Sequence, residues 1–178
     1  MTCIVGITKS GKVYMGGDSM ASNNWGELTI HSDPKVFKRG DFLFGVAGSV
    51  RASNLVMYKF QAPPPQTNSI DEYMMTDFID ALRECFKQGG VAENDNNVES
   101  IWSQILIGIA GKLYTINGDF SIMRSACGYD AIGTGGMIAM GNLHATPKMA
   151  PMKRIKLALE AAEANMASVR GPFVMEKI

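Results

Sequence analysis

The sequence predicts a single α+β domain spanning residues 1–178, with stacked sheets and helices outside them. Three observations predict it. Short β-type runs joined by tight turns occur in two separate blocks, each block is followed by stretches with helical apolar spacing, and no long-range repeat or second domain is evident. The chain has 178 residues, 46% of them hydrophobic and 19% charged, which is ordinary for one globular domain of this size.

The elements follow in order. Cys3-Ile4-Val5-Gly6-Ile7, the turn Lys9-Ser10-Gly11-Lys12, and Val13-Tyr14-Met15 form a predicted hairpin. Lys35 to Lys38 and Phe42 to Val46, joined across Arg39-Gly40-Asp41, form a second one. Both connections are too short for a crossover, so both pairs are antiparallel. A helix is expected over residues 49–60, starting at Ser49. Another is expected over 70–86, where Ile70, Met74, Phe78, Leu82 and Cys85 or Phe86 form one apolar stripe. Pro63-Pro64-Pro65 keeps the two apart.

Gly89 to Ser100 is rich in Gly, Asn and acid and is expected to be an exposed loop. Strands return at 103–110, 113–116, 120–123 and 129–132, with Asn117-Gly118 a strong turn signal. Two helices are then expected to close the chain. The second carries Ile155, Leu159, Ala162 and Met166 on one face and stops at Gly171-Pro172. Of the thirteen methionines, Met57, Met74 and Met166 fall on apolar helix faces, where they fill gaps in a core.

Composition narrows the function. Lys+Arg and Asp+Glu are 17 each, so the net charge is zero and a general nucleic-acid binder is disfavoured. No apolar run reaches about 18 residues, so no membrane span is expected. The amino terminus lacks a basic segment before an apolar stretch, so no secretory signal is expected. Cys3, Cys85 and Cys127 form no C-x-x-C pair, and His31 and His144 lack metal-ligand spacing. These features fit a reducing cytosol, with neither a zinc site nor a disulfide framework.

Removal of Met1 would make Thr2 the first residue. A threonine hydroxyl becomes a competent nucleophile when its own terminal amine serves as general base. The α-amine has an ordinary pKa of about 7.7–8.0 and accepts a proton near neutrality. A neighbouring lysine cation lowers it further. Taken alone, Thr2 reads first as the start of an edge strand, since many proteins begin Met-Thr.

The residues around it narrow that choice. Thr2-Cys3-Ile4-Val5-Gly6-Ile7, Val13-Tyr14-Met15-Gly16-Gly17-Asp18, Lys35-Val36, Gly45-Val46-Ala47-Gly48 and Ile132-Gly133-Thr134-Gly135-Gly136 together resemble the proteasome β-subunit family, most closely its HslV-type branch. The stretches keep the family's order and approximate spacing, while residues 61–100 match only in helical character. The resemblance implies a bacterial or phage-encoded cytoplasmic chain with a four-layer αββα N-terminal-nucleophile fold and the amino terminus in a cleft between two sheets.

It also implies roles. Thr2 aligns with the catalytic threonine, Asp18 with the acid after the second strand, and Lys35 with the lysine held beside the nucleophile. Gly45 aligns with the glycine whose N–H binds the oxyanion. Thr134 stands in place of a serine that hydrogen-bonds near the terminal amine. Each residue has a structural alternative: Asp18 capping a turn, Lys35 solvated at the start of a strand, Gly45 and Gly48 serving close sheet packing. Residues 132–136 lack the Gly-Lys-Ser/Thr ending of a phosphate loop, and Cys3 reads as a buried strand residue.

The activity implied is hydrolysis of peptide bonds in peptides or unfolded proteins, without metal or organic cofactor. It would take place inside a ring or a related symmetric homo-oligomer, and an ATPase unfoldase is a partner by analogy only. The competing reading is an inactive proteasome-like structural or binding protein that retains Met1. A small-molecule amidase on the same fold is a third.

Overall fold

The computed structural model describes residues 2–22, 27–95 and 98–178. Strands β1 (Ile4–Lys9) and β2 (Lys12–Gly17) form the first expected hairpin, in register from Ile4↔Gly17 to Lys9↔Lys12. Two short strands follow, β3 (Met20–Ser22) and β4 (Leu28–Ile30). Next come β5 (Val36–Arg39) and β6 (Phe42–Gly48), the second expected hairpin.

Ser49 caps α1 (Val50–Asn54) by accepting from the Ala52 N–H, and a wide π-type turn, Leu55–Lys59, continues it. The second helical run is continuous through α2 (Ile70–Tyr73), another π-type turn, Met74–Phe78, and α3 (Ile79–Gln88). Strands β7 (Ala92–Asp95), β8 (Val98–Ile101), β9 (Ser103–Ile109), β10 (Lys112–Ile116), β11 (Ile122–Arg124) and β12 (Tyr129–Ile132) lead to α4 (Gly136–Ala145) and α5 (Pro151–Asn165). The chain then returns as β13 (Val174–Lys177).

The strands assemble into a four-stranded sheet, β12-β1-β2-β13, and a five-stranded sheet, β11-β10-β9-β6-β5. Side-chain alternation then sorts the apolar residues into three cores. Phe42, Phe44 and Val46 of β6 and Ile105, Ile107 and Ile109 of β9 face the helices α1–α3. Val5 and Ile7 of β1 face α4 and α5. Between the sheets lie Ile4, Val13, Met15, Val36, Leu43, Leu106 and Leu113. Three cores between four layers make an αββα sandwich. The inner layers approach closely because Gly45 presents no side chain: a Cβ there would lie 2.6 Å from Ile4 Cγ2 and 2.8 Å from Met15 Sδ.

Two expectations differ from this arrangement, and a third feature departs from the drawn apolar stripe. Residues 92–95 and 98–101 pair as the β7–β8 hairpin instead of forming a loop; positions 96 and 97 lie outside the described residues. Its alternating polar sequence suits a two-faced exposed ribbon, which carries little apolar signal. The chain does not end on a helix, because β13 pairs antiparallel with β2 and covers that sheet edge. Tyr73 and Ile79 lie off the apolar stripe of 70–86, yet both are buried in the protein's own core. The wide turn at Met74–Phe78 explains it, since it breaks the 3.6-residue phase on which the stripe was drawn.

At the start of this helical run, the Asp71 carboxylate accepts hydrogen bonds from Lys112 Nζ, Tyr114 Oη and Arg124 Nη1, tying α2 to β10 and β11. The bonds from Lys112 and Tyr114 hold the Asp71 carboxyl below its ordinary pKa. A cavity of about 420 Å³ lies under the proline run, floored by Phe42, Phe44, Phe60 and Tyr73. Among the described residues, no helix is long and apolar enough to cross a membrane.

Phe78 is fully buried, with ring centroids of Phe42 and Phe60 at 5.2 and 5.3 Å, whereas Met75 on the same run is 52% exposed. Phe78→Ala is expected to cost about 3–5 kcal/mol and Met75→Ala less than about 0.5 kcal/mol in urea unfolding. Similar shifts for the two would refute this assignment of the helical face.

Candidate active site

The site is built where β1 begins. Thr2 is buried, at 4% exposure, and its carbonyl accepts the N–H of Gly135 at 3.1 Å. The loop after β12 reaches this close because Gly133 has φ +82° and lacks a side chain; a Cβ there would lie 2.3 Å from Thr2 O. The same loop brings Thr134 alongside. Its Oγ1 lies 3.4 Å from both the backbone nitrogen and the carbonyl oxygen of Thr2, accepting from one and donating to the other.

Asp18 follows β2 and is completely buried. Its backbone N–H donates to Cys3 O, and its Oδ1 accepts the Cys3 N–H at 2.9 Å, so it is stitched to β1 beside Thr2. Oδ2 accepts the Met20 N–H at 3.3 Å. Lys35 enters from the start of β5. Its Nζ lies 2.9 and 3.0 Å from the two Asp18 oxygens, donates to Met20 O, and donates to Thr2 Oγ1 at 3.1 Å. Burial lowers the Lys35 pKa, and the Asp18 charge opposes that loss.

An ammonium has three hydrogens and no lone pair. With Asp18, Met20 O and Thr2 Oγ1 all acting as acceptors, the charged Lys35 supports negative charge on Thr2 Oγ1 but cannot take its proton. Cys3 is no rival nucleophile. Burial, and then the Asp18 charge, push its thiol up to about 12. It also packs on the far side of β1, in the α4–α5 core.

Four of the five candidate residues, Thr2, Asp18, Lys35 and Thr134, therefore meet at one place. Gly45 does not join them. Its position is the inter-sheet core described above. Val46 donates to Lys35 O, so strand alternation aims the Gly45 N–H the other way, at β9 within the sheet. Gly48 occupies the position that Gly45 was expected to fill. It ends β6, lines both clefts beside Thr2, and has φ +115°. Alternation turns its N–H to the same side as that of Val46, past the start of β5. A Cβ there would lie 2.2 Å from Trp102 O. The signal in the sequence is a glycine at the end of a strand, immediately before the helix cap Ser49.

Thr2 stands between two depressions. On the Lys35 side is a narrow cleft of about 100 Å³, lined by Ser19, Met20, Ala21, His31 and Val50 among others. On the Thr134 side is a wider cleft of about 530 Å³, walled by Gly48, Trp102, Gln104, Gly118 and Gly133. A group bound across Thr2 would extend into both. Met1 lies outside the described residues.

No protein-family model matches the sequence. Solved structures do match over nearly the whole chain. The Thiobacillus denitrificans protein BPH superposes with a TM-score of 0.82 at 17% identity, covering 99% of this chain and 97% of that one; it has also been solved in complex with epoxomicin. Eukaryotic HslV from Trypanosoma brucei gives 0.72 at 21% identity, covering 99% and 98%. Anbu, an ancestral β-subunit from Yersinia bercovieri, gives 0.70 at 13%, covering 99% and 81%. The chain thus has the αββα fold of these proteasome-like structures.

The buried ion pair makes a testable demand on stability. Asp18→Asn leaves the Lys35 charge without its counter-ion and is expected to cost about 3–5 kcal/mol at pH 7. Adding Lys35→Met is expected to restore most of that loss. Urea midpoints for the three proteins check this; a double variant no more stable than Asp18→Asn would show that the unpaired charge is not the cause.

Proposed function

We propose that the chain is a subunit of a self-compartmentalising threonine peptidase whose nucleophile, Thr2, is exposed by removal of Met1. The observation that carries this reading is the Lys35 ammonium shared between the Thr2 hydroxyl at 3.1 Å and the buried Asp18 carboxylate. A solvated strand-entering lysine would not be held there.

In the proposed reaction, Thr2 Oγ1 attacks the substrate carbonyl carbon while its proton passes to the free Thr2 amine, directly or through water. Lys35 remains charged. It supports the developing alkoxide and keeps the nearby amine from being protonated too readily. The carbonyl oxygen becomes an oxyanion, for which the Gly48 N–H is the candidate donor. Loss of one such donor typically lowers turnover by about 10²–10³. The protonated amine gives its proton to the leaving nitrogen, the C–N bond breaks, and an ester to Thr2 remains. The amine then deprotonates a water molecule, which hydrolyses the ester and regenerates the hydroxyl. Thr134, beside the Thr2 nitrogen, orients the amine. Substrates of this chemistry are peptides or unfolded protein segments, and no step needs a metal or organic cofactor.

Intact mass should show loss of one methionine, and Thr2→Ala should abolish hydrolysis of fluorogenic peptides while the protein stays folded. Epoxomicin, which forms a complex with the T. denitrificans neighbour, should inhibit the wild type. Quantitative retention of Met1, with no hydrolysis, would favour the binding-protein reading instead. Equal hydrolysis by wild type and Thr2→Ala would reject the nucleophile.

A ring or related closed homo-oligomer belongs to the same proposal. Its support is that both outer helical layers keep large apolar side chains in solvent, Tyr58, at 66% exposure, on one and Met137, at 89% exposure, on the other. Light scattering after size exclusion is expected to give a closed assembly larger than a dimer. A monodisperse monomer persisting as concentration rises would refute it.

A further inference from the structure

The wide cleft beside Thr2 is bounded by a large side chain that the proposed chemistry leaves unused. Trp102 is 78% exposed, a high value for an indole. It occupies the bend between β8 and β9, and the bend turns its ring outward while Ile101 and Ser103 on either side are buried. One hydrogen bond holds the ring and another holds the backbone behind it. Its Nε1 donates to Glu93 Oε2 at 3.1 Å, and its carbonyl accepts the Ser49 N–H at 3.2 Å. Trp102 is therefore an apolar wall of the cleft whose backbone is stitched to the segment that carries Gly48, and with Glu93 it also lines an adjoining depression of about 290 Å³.

Which part of a substrate meets this wall follows from proton transfer. The group that protonates the leaving nitrogen must lie on the leaving side. The Thr2 backbone nitrogen points to Thr134 Oγ1, and Thr134, Gly133 and Trp102 line the same wide cleft. Lys35 and the narrow cleft lie on the other side. The leaving part of the chain must then pass through the wide cleft.

We propose that Trp102 forms a leaving-side subsite that selects substrates with an aromatic or bulky apolar residue just after the cleaved bond. The inference rests on the peptidase reading for its orientation. A rigid, amphipathic indole with its N–H already bonded offers a ring face to such a side chain and nothing to a small or acidic one.

The test uses internally quenched peptides identical before the cleaved bond, with Phe or Gly after it. Wild type, freed of Met1, is expected to favour Phe by about tenfold in kcat/KM. Trp102→Ala should bring the ratio near one, and Trp102→Phe should restore most of it. A ratio unchanged in Trp102→Ala, or no preference in wild type, overturns the subsite. Binding of the same two peptides to Thr2→Ala, read by fluorescence anisotropy, separates the two readings. Tighter binding of the Phe peptide that disappears when Trp102→Ala is added, together with no cleavage of either peptide by wild type freed of Met1, would keep the subsite and reject the peptidase. Cleavage without any Phe preference would do the reverse. Dissociation of the assembly by Trp102→Ala with the ratio intact would place Trp102 between copies and overturn the proposal.

Discussion

One buried ion pair organises the amino-terminal end of this sandwich. Asp18 is inaccessible to water, and it is tolerated because three donors make four contacts to it: the N–H groups of Cys3 and Met20, and the Lys35 ammonium twice. Those partners stand at the starts of β1, β3 and β5, so the pair joins the two sheets where the nucleophile candidate emerges. Burial works against the lysine charge, and the carboxylate retains it. The result is a cation held at a fixed distance from one hydroxyl, which water cannot easily screen.

The three cores explain why that end is open while the rest is closed. The central strands of the inner layers alternate between an outer, helix-facing core and the shared inter-sheet core. Gly45 lets the sheets close tightly in the middle. At the end of β6 the pattern stops: Gly48 turns with a positive φ, β5 has not yet begun opposite it, and the two clefts open on either side of Thr2. The catalytic geometry proposed above therefore depends on where β5 and β6 start and stop as much as on the named side chains.

Much of this was legible from residues. Both early hairpins, the Ser49 cap, the Asn117-Gly118 turn and the α5 face follow from period and turn chemistry, and the ordered motifs brought Thr2, Asp18, Lys35 and Thr134 to one place. What escaped has physical causes. Strand β13 and the β7–β8 hairpin are short and half-polar, so pairing partners distant in sequence, or a local ribbon, decide them. Gly45 and Gly48 are three residues apart in one strand and look alike in a motif. Only the ladder direction, fixed by the Val46-to-Lys35 bond, separates a packing glycine from one whose N–H faces the cleft. Trp102 carried no motif, because its exposure arises from a bend between two strands.

The wide turn at Met74–Phe78 has a consequence for how this chain tolerates changes in length. A π-type turn contains one residue more than an α-turn of the same rise, and it is the mark that a single inserted residue leaves in a helix. Removing one residue there would restore a regular helix but rotate Ile70–Tyr73 by about 100° against α3. Asp71 would swing away from Lys112, Tyr114 and Arg124, and Tyr73 would leave the aromatic core. The helix is thus phase-locked at both ends, so a compensating insertion must fall within the same turn to be neutral.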